Sequence, residues 1–192
     1  HQYDIYACFR LESDIDLNGI QWYTAVVPSF GGCFDGNGHV ICNLNMKGDS
    51  RLGLFGVTIN SAEISDIGLE NVSIAGTDLS SAGSLVVNNF YYSCNVKNCY
   101  STGTVTGGTA GGLVVANGGS MTNCYSTCAV NSCGIAGGLV GSNGGSVTSS
   151  YSTGAVTGDD MVGGLVGWSG SYDAITSSYS TGDVSGDNYV GG

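Results

Sequence analysis

One string recurs at a nearly fixed interval, and it limits what this chain can fold into more than any other feature. Gly111 to Val114 reads G-G-L-V, the same residues return at Gly137 to Val140 and at Gly163 to Val166, and Gly191-Gly192 opens a further copy. The intervals are 26, 26 and 28 residues. A second marker, Y-S-T, stands at Tyr100 to Thr102, Tyr125 to Thr127, Tyr151 to Thr153 and Tyr179 to Thr181, in phase with the first. Asn117-Gly118-Gly119, Asn143-Gly144-Gly145 and Gly154-Ala155-Val156-Thr157-Gly158 supply turn signals between them. Helical periodicity is absent, and each of the 34 glycines would cost a helix about 1 kcal/mol, so the unit is built from short strands and tight turns.

One such unit cannot bury its own apolar face, whereas a stack of units can. The repeat therefore predicts an all-β fold, a right-handed parallel β-helix of about seven rungs of roughly 26 residues each, with strands of neighbouring coils about 4.8 Å apart. A diverged rung runs from Gly53 through Gly76, another from Ala82 to Gly107, and the first 50 residues supply about two more. Aligning Ile64 to Glu70 with Val147 to Thr153 sets Ile67 and Leu69 opposite Ser150 and Ser152, which predicts that these positions point inward. By strand alternation, Tyr100, Tyr125, Tyr151 and Tyr179 should then form an exposed ladder, with Thr102, Thr127, Thr153 and Thr181 as a second one beside it.

Charge narrows the function. The formal net charge is −11, and Arg10, Lys47, Arg51 and Lys97 are the only basic side chains apart from the two histidines, too few and too scattered for a nucleic-acid groove. No apolar run approaches the roughly 20 residues of a membrane-spanning helix. Eight cysteines, an even number, favour an oxidising compartment. The chain begins at His1, which fits either a processed secretory protein or a fragment of a longer chain.

Further strings carry a resemblance: D-I-D-L at Asp14 to Leu17, F-D-G-N-G-H at Phe34 to His39, G-L-F-G at Gly53 to Gly56, and the repeated G-G-L-V-G and N-C-Y-S-T-G-x-V-x-G patterns. Together they resemble the GLUG-motif repeat proteins. That family comprises long secreted or surface-anchored bacterial proteins, including adhesin-like chains and regions flanking some immunoglobulin-A peptidases, and the resemblance implies a β-helical scaffold. On this reading residues 1–192 form a single repeat domain, with 1–52 as diverged N-terminal rungs and 53–192 as GLUG-type repeats. Departures are Gly83-Ser84-Leu85 in place of G-G-L and Val115 in place of the following glycine.

Candidate sites follow. Cys99 and Cys124 share a repeat position on adjacent rungs, which predicts Cα atoms about 5 Å apart and a disulfide. Cys128 with Cys133 would close a corner, Cys33 with Cys42 would flank the Asp35-Gly36-Asn37-Gly38 turn, and Cys8 with Cys94 remains by elimination. No C-x-x-C is present, and only His1 and His39 complement the thiols, so neither a metal nor a cofactor is expected. Asp14, Asp16, Asp35, Asp159, Asp160, Asp183 and Asp187 read as solvated turn residues in preference to Ca²⁺ ligands. From Leu79 to Gly158 there is no Asp or Glu, H-E-x-x-H is missing, and a Ser-His-Asp triad would have to draw on His39 or His1. Asn71-Val72-Ser73 is the one N-glycosylation sequon. The expectation is a non-enzymatic extracellular or cell-surface stalk, adhesin or fibre subunit. Its partners would be further copies stacked end to end and, along the Tyr flank, surface glycans. The alternative is a carbohydrate-binding or polysaccharide-processing β-helix.

Overall fold

The computed structural model describes residues 4–89, 94–171 and 173–192. Every strand pairing in it is parallel and joins one coil to the next, as a β-helix requires. The first sheet gathers seven strands, from Cys8–Arg10 through Cys33–Asp35, Glu63–Ser65, Asn95–Lys97, Ser120–Thr122 and Ser146–Thr148 to Ala174–Thr176. Two further sheets have six strands each, and a twelve-stranded sheet forks into two branches. The expected solenoid of about seven coils is present. No helix among the described residues is long and apolar enough to cross a membrane.

The coils follow strand alternation. In Ser120-Met121-Thr122 and Ser146-Val147-Thr148 the central residue is fully buried and the flanking hydroxyls turn outward. The inward column of this sheet is Phe9, Phe34, Ile64, Val96, Met121, Val147 and Ile175. Between the first sheet and the twelve-stranded one, the chain turns through a residue in the left-handed region: Asp66, Asn98, Asn123, Ser149 and Ser177, with φ of 50–55°. Asp and Asn tolerate this conformation best, and their side chains link successive corners, Asn98 Nδ2 donating to Asp66 Oδ1 at 2.8 Å and Asn123 Nδ2 to Asn98 Oδ1 at 3.2 Å.

G-G-L-V and Y-S-T are two halves of one contact across the lumen. Ser101, Ser126 and Ser152 are fully buried, and Ser101 Oγ donates to the Gly112 carbonyl at 2.9 Å. A side chain on the second glycine of the pair would collide with this serine column: a Cβ at Gly138 would lie 2.7 Å from Ser152 Oγ. The diverged coil makes the complementary exchange, with Leu69 in the serine column and Ser84 in the glycine column, where Ser84 Oγ donates to Gly112 O at 2.6 Å.

The second and third coils are longer than the rest. Register-matched residues of the first sheet are 30 residues apart between Cys33 and Glu63 and 32 between Glu63 and Asn95, against 25 between Asn95 and Ser120. An aromatic cluster fills the interior near this end, with Phe55 packed 5.1 Å from Phe30 and 5.3 Å from Phe34 between ring centroids.

A second column of polar side chains runs inside the rod. Thr58 Oγ1 donates to Asn89 Oδ1 at 2.7 Å, Asn89 Nδ2 to Asn117 Oδ1 at 2.9 Å, and Asn117 Nδ2 to Asn143 Oδ1 at 2.8 Å, all four residues being buried. Each amide satisfies the next, so the polar column runs through an apolar interior without orphaned groups.

Candidate functional surfaces

The predicted tyrosine ladder forms. Tyr100, Tyr125, Tyr151 and Tyr179 stack with centroid separations of 4.9, 4.9 and 5.3 Å and interplanar angles of 2°, 1° and 7°. Register-matched parallel strands impose this geometry, and each pair adds about 0.5–1.5 kcal/mol beyond its buried area. At one end Gly68 leaves room for the Tyr100 ring, with which a Cβ would overlap, and the Tyr100 hydroxyl donates to Glu70 Oε1 at 2.7 Å. Ring faces within the stack are covered by neighbouring rings, so the ladder shows solvent its edges and hydroxyls. Thr127, Thr153 and Thr181 are exposed beside it, and Thr102 is half-buried, its Oγ1 accepting the Asn71 N–H at 3.0 Å.

Burial beneath adjacent rings, and then the bond to Glu70, push the Tyr100 hydroxyl above the ordinary tyrosine range. Burial, and then the neighbouring Tyr151 and Glu70, push Tyr125 up as well. The folded chain thus holds these protons more tightly than the unfolded chain. The resulting stability is complete below pH about 10 and is lost as pH rises through the elevated values. Ultraviolet titration of tyrosinate is expected to show a group of the 11 tyrosines ionising above the rest, together with loss of β-sheet circular dichroism. Ionisation of all of them in one ordinary step with the sheet intact would contradict it.

The cysteines differ from expectation. The bridge joins Cys8 to Cys33, register-matched on adjacent coils with Cα atoms 4.4 Å apart. Cys33 is therefore not bonded to Cys42, which lies on another sheet of the same coil. Nor is Cys8 bonded to Cys94, which lies three coils further along, about 14 Å at the strand spacing. Cys128 and Cys133 flank the extended strand Ala129–Ser132 instead of a corner, about 16 Å apart and far beyond disulfide reach, one buried and the other exposed. Cys99 and Cys124 occupy the predicted shared column, facing the core, but as thiols: Cys99 Sγ donates to Lys97 O at 3.1 Å and Cys124 Sγ to Thr122 O at 3.4 Å. Burial pushes the Cys99 thiol well up. Thiol titration is expected to find six free groups after denaturation, with Cys133 reacting first in the native protein and the core thiols protected. A count of four or fewer would contradict this pairing.

Asn71 stands at a bulge within the strand Gly68–Gly76 at φ 54°, its Nδ2 donating to Asn43 Oδ1 at 2.7 Å, and Asn43 Nδ2 donates to Asp16 Oδ1 at 2.7 Å. The sequon is thus part of a second exposed amide ladder. The Asn43 bond, followed by the Asn18 backbone N–H, holds the Asp16 carboxyl below its usual range. His39 Nδ1 lies 3.0 Å from Asp14 Oδ1, and the F-D-G-N-G-H turn is closed by Asp35 Oδ1 accepting the Asn37 N–H at 2.7 Å. Asp159, Asp160, Asp183 and Asp187 are dispersed over corners of the last two coils. Among the described residues no group of three or more His, Cys, Asp or Glu side chains is gathered to hold a metal ion.

Two features escaped the sequence reading. The buried ladder of Asn89, Asn117 and Asn143 was visible only as turn signals, although the recurrence of N-G-G in phase with the repeat carried it. Trp168, 45 % exposed, sits outside both repeat markers.

These surfaces belong to an all-β solenoid whose side chains are ordered in columns, a parallel β-helix. Residues 159–185 match the GLUG motif. The chain is similar in structure to a Bacteroides ovatus protein whose crystal structure is described as that of "a putative immunoglobulin A1 protease", at a TM-score of 0.75 and 25% sequence identity. The match covers 94% of this chain and 61% of that one, so this chain spans less than two thirds of that protein's length. No curated protein sequence matches. The chain is thus a β-helix that carries a GLUG motif at residues 159–185 and is related in fold to a bacterial protein.

Proposed function

We propose that this chain is a non-enzymatic structural rod of a secreted or surface-displayed bacterial protein, serving as stalk, adhesin or fibre subunit. The observation that carries this reading is the continuity of the columns: tyrosine rings and buried asparagines each bind one coil to the next through the regular repeats. Load applied to one coil is shared by ladder after ladder. The GLUG motif and the Bacteroides relative support an extracellular setting, and the Cys8–Cys33 bridge suits an oxidising one. The match spans 61% of the Bacteroides protein, and we assign this chain the role of scaffold.

End-to-end association is part of the proposal. Phe9, Ile15 and Ile20 are exposed on the first coil, and Ile175 and Val190 at the opposite end, beside strand edges that can seat a further coil of a longer chain or of a second copy. Both ends are acidic, with Glu12, Asp14 and Asp16 at one and Asp173, Asp183 and Asp187 at the other, so copies repel until salt screens them. Electron microscopy of the purified chain over a range of concentration and salt tests this. Short dispersed particles at low salt that join lengthwise as salt rises are expected. Single particles at every salt and concentration would refute end-to-end stacking, and cleavage of immunoglobulin A1 by the purified chain would refute the non-enzymatic reading.

A further inference from the structure

The repeat lengthens at one corner, and the groove formed there has a composition unlike the rest of the rod. Regular coils pass from the sheet of Val140–Asn143 into the first sheet through Asn143-Gly144-Gly145-Ser146. In the next coil, register places Ser169 over Asn143 but Ala174 over Ser146, so two extra residues are accommodated at this corner. They account for the step from 26 to 28 in the repeat. Asp173 folds back over the widened corner, its Oδ2 accepting the Gly170 N–H and the Ser169 hydroxyl, the latter at 3.3 Å. Just before it stands Trp168, in an outward column occupied by Ser142 and Ala116 in the preceding coils.

Trp168, Asp173 and Ser171 wall an open groove of about 550 Å³ whose floor includes Gly144, Gly145 and Ser146. That volume lies in the usual range for small-molecule sites. The floor is bare backbone where ligand would lie, since a Cβ at Gly144 would meet nothing nearer than Asn117 O at 3.6 Å. Among the described residues no basic side chain lines the groove to receive an anion, and the one carboxylate there is too little for a hard cation. Among the described residues a peptide side chain would find one aromatic wall, one carboxylate and otherwise glycine, serine and alanine. What fits is a ligand with an apolar C–H face for an indole and hydroxyls for a carboxylate and polar backbone. Unlike the ladder tyrosines, whose faces cover one another, Trp168 stacks on no other ring among the described residues.

We propose that this groove binds a neutral saccharide, a pyranose ring lying against the Trp168 indole with its hydroxyls donating to the Asp173 carboxylate. The activity is additional to the mechanical role and independent of it, since a rod that failed to bind would remain a rod. Affinity electrophoresis of the intact chain in gels containing dextran, mixed-linkage β-glucan or galactomannan tests it, with tryptophan fluorescence followed in parallel. At least one of the three is expected to retard the protein and to shift its emission. Trp168→Ala and Gly144→Leu should each weaken that binding at least tenfold while keeping native circular dichroism, and Tyr125→Ala should leave it unchanged. Absence of retardation by all three polysaccharides would overturn the proposal. So would retardation that survives Trp168→Ala, or that is lost in Tyr125→Ala alone.

Discussion

Gly137→Ala is expected to destabilise the protein by about 3 kcal/mol or more, enough to disorder the coils around it. A Cβ at this position would stand 2.6 Å from the Val140 carbonyl carbon and 2.8 Å from the Gly167 nitrogen, with the Val140 oxygen nearer still. All three are backbone atoms, one in the next coil, so relief requires moving a strand rather than turning a side chain. Gly144→Ala is the matched control. Its Cβ would face open space, its nearest neighbour 3.6 Å away, and a small gain of up to about 1 kcal/mol is expected from the stiffer unfolded chain. Urea unfolding of the two variants beside the parent protein checks both. Equal effects would show that the glycines of the repeat mark turns and do not serve close packing.

Asn117→Leu is expected to cost about 3 kcal/mol. The change keeps the branched shape and the number of heavy atoms but removes a side chain that accepts from Asn89 Nδ2 at 2.9 Å and donates to Asn143 Oδ1 at 2.8 Å. Its two neighbours, both buried, are left with an orphan donor and an orphan acceptor, each costing about 1–3 kcal/mol. The damage propagates along the column in both directions, so hydrogen exchange should quicken in the coils of Asn89 and Asn143 as well as in the substituted coil. A loss below about 1 kcal/mol with exchange unchanged outside Asn117 would mean that water replaces the ladder.

Much of this architecture was written in the repeat. G-G-L-V and Y-S-T gave the period, and alignment of Ile67 and Leu69 with Ser150 and Ser152 correctly turned the tyrosines outward. Why the two markers travel together was not legible, because the serine of one meets the glycine of the other only across the lumen. The disulfide was missed for a related reason. Pairing follows register between coils, and the first coils carry neither marker, so nothing in the sequence aligned Cys8 with Cys33. The same column logic, applied to Cys99 and Cys124, found the right neighbours and the wrong bond. Cys128 and Cys133 failed because a segment read as a corner is a strand. Trp168 belongs to neither marker, and its meaning depends on the two-residue lengthening beside it, which is visible as a change of period but acquires a location only in the structure.

In the proposed mechanical role the chain is a stack of coils held by shared ladders. Stretching single molecules between their ends tests it most directly. Stepwise lengthening is expected, in increments of about 90 Å, one 26-residue coil paid out at a time, with the tyrosine-laddered coils yielding last. Smooth extension at low force, without steps of that size, would contradict it.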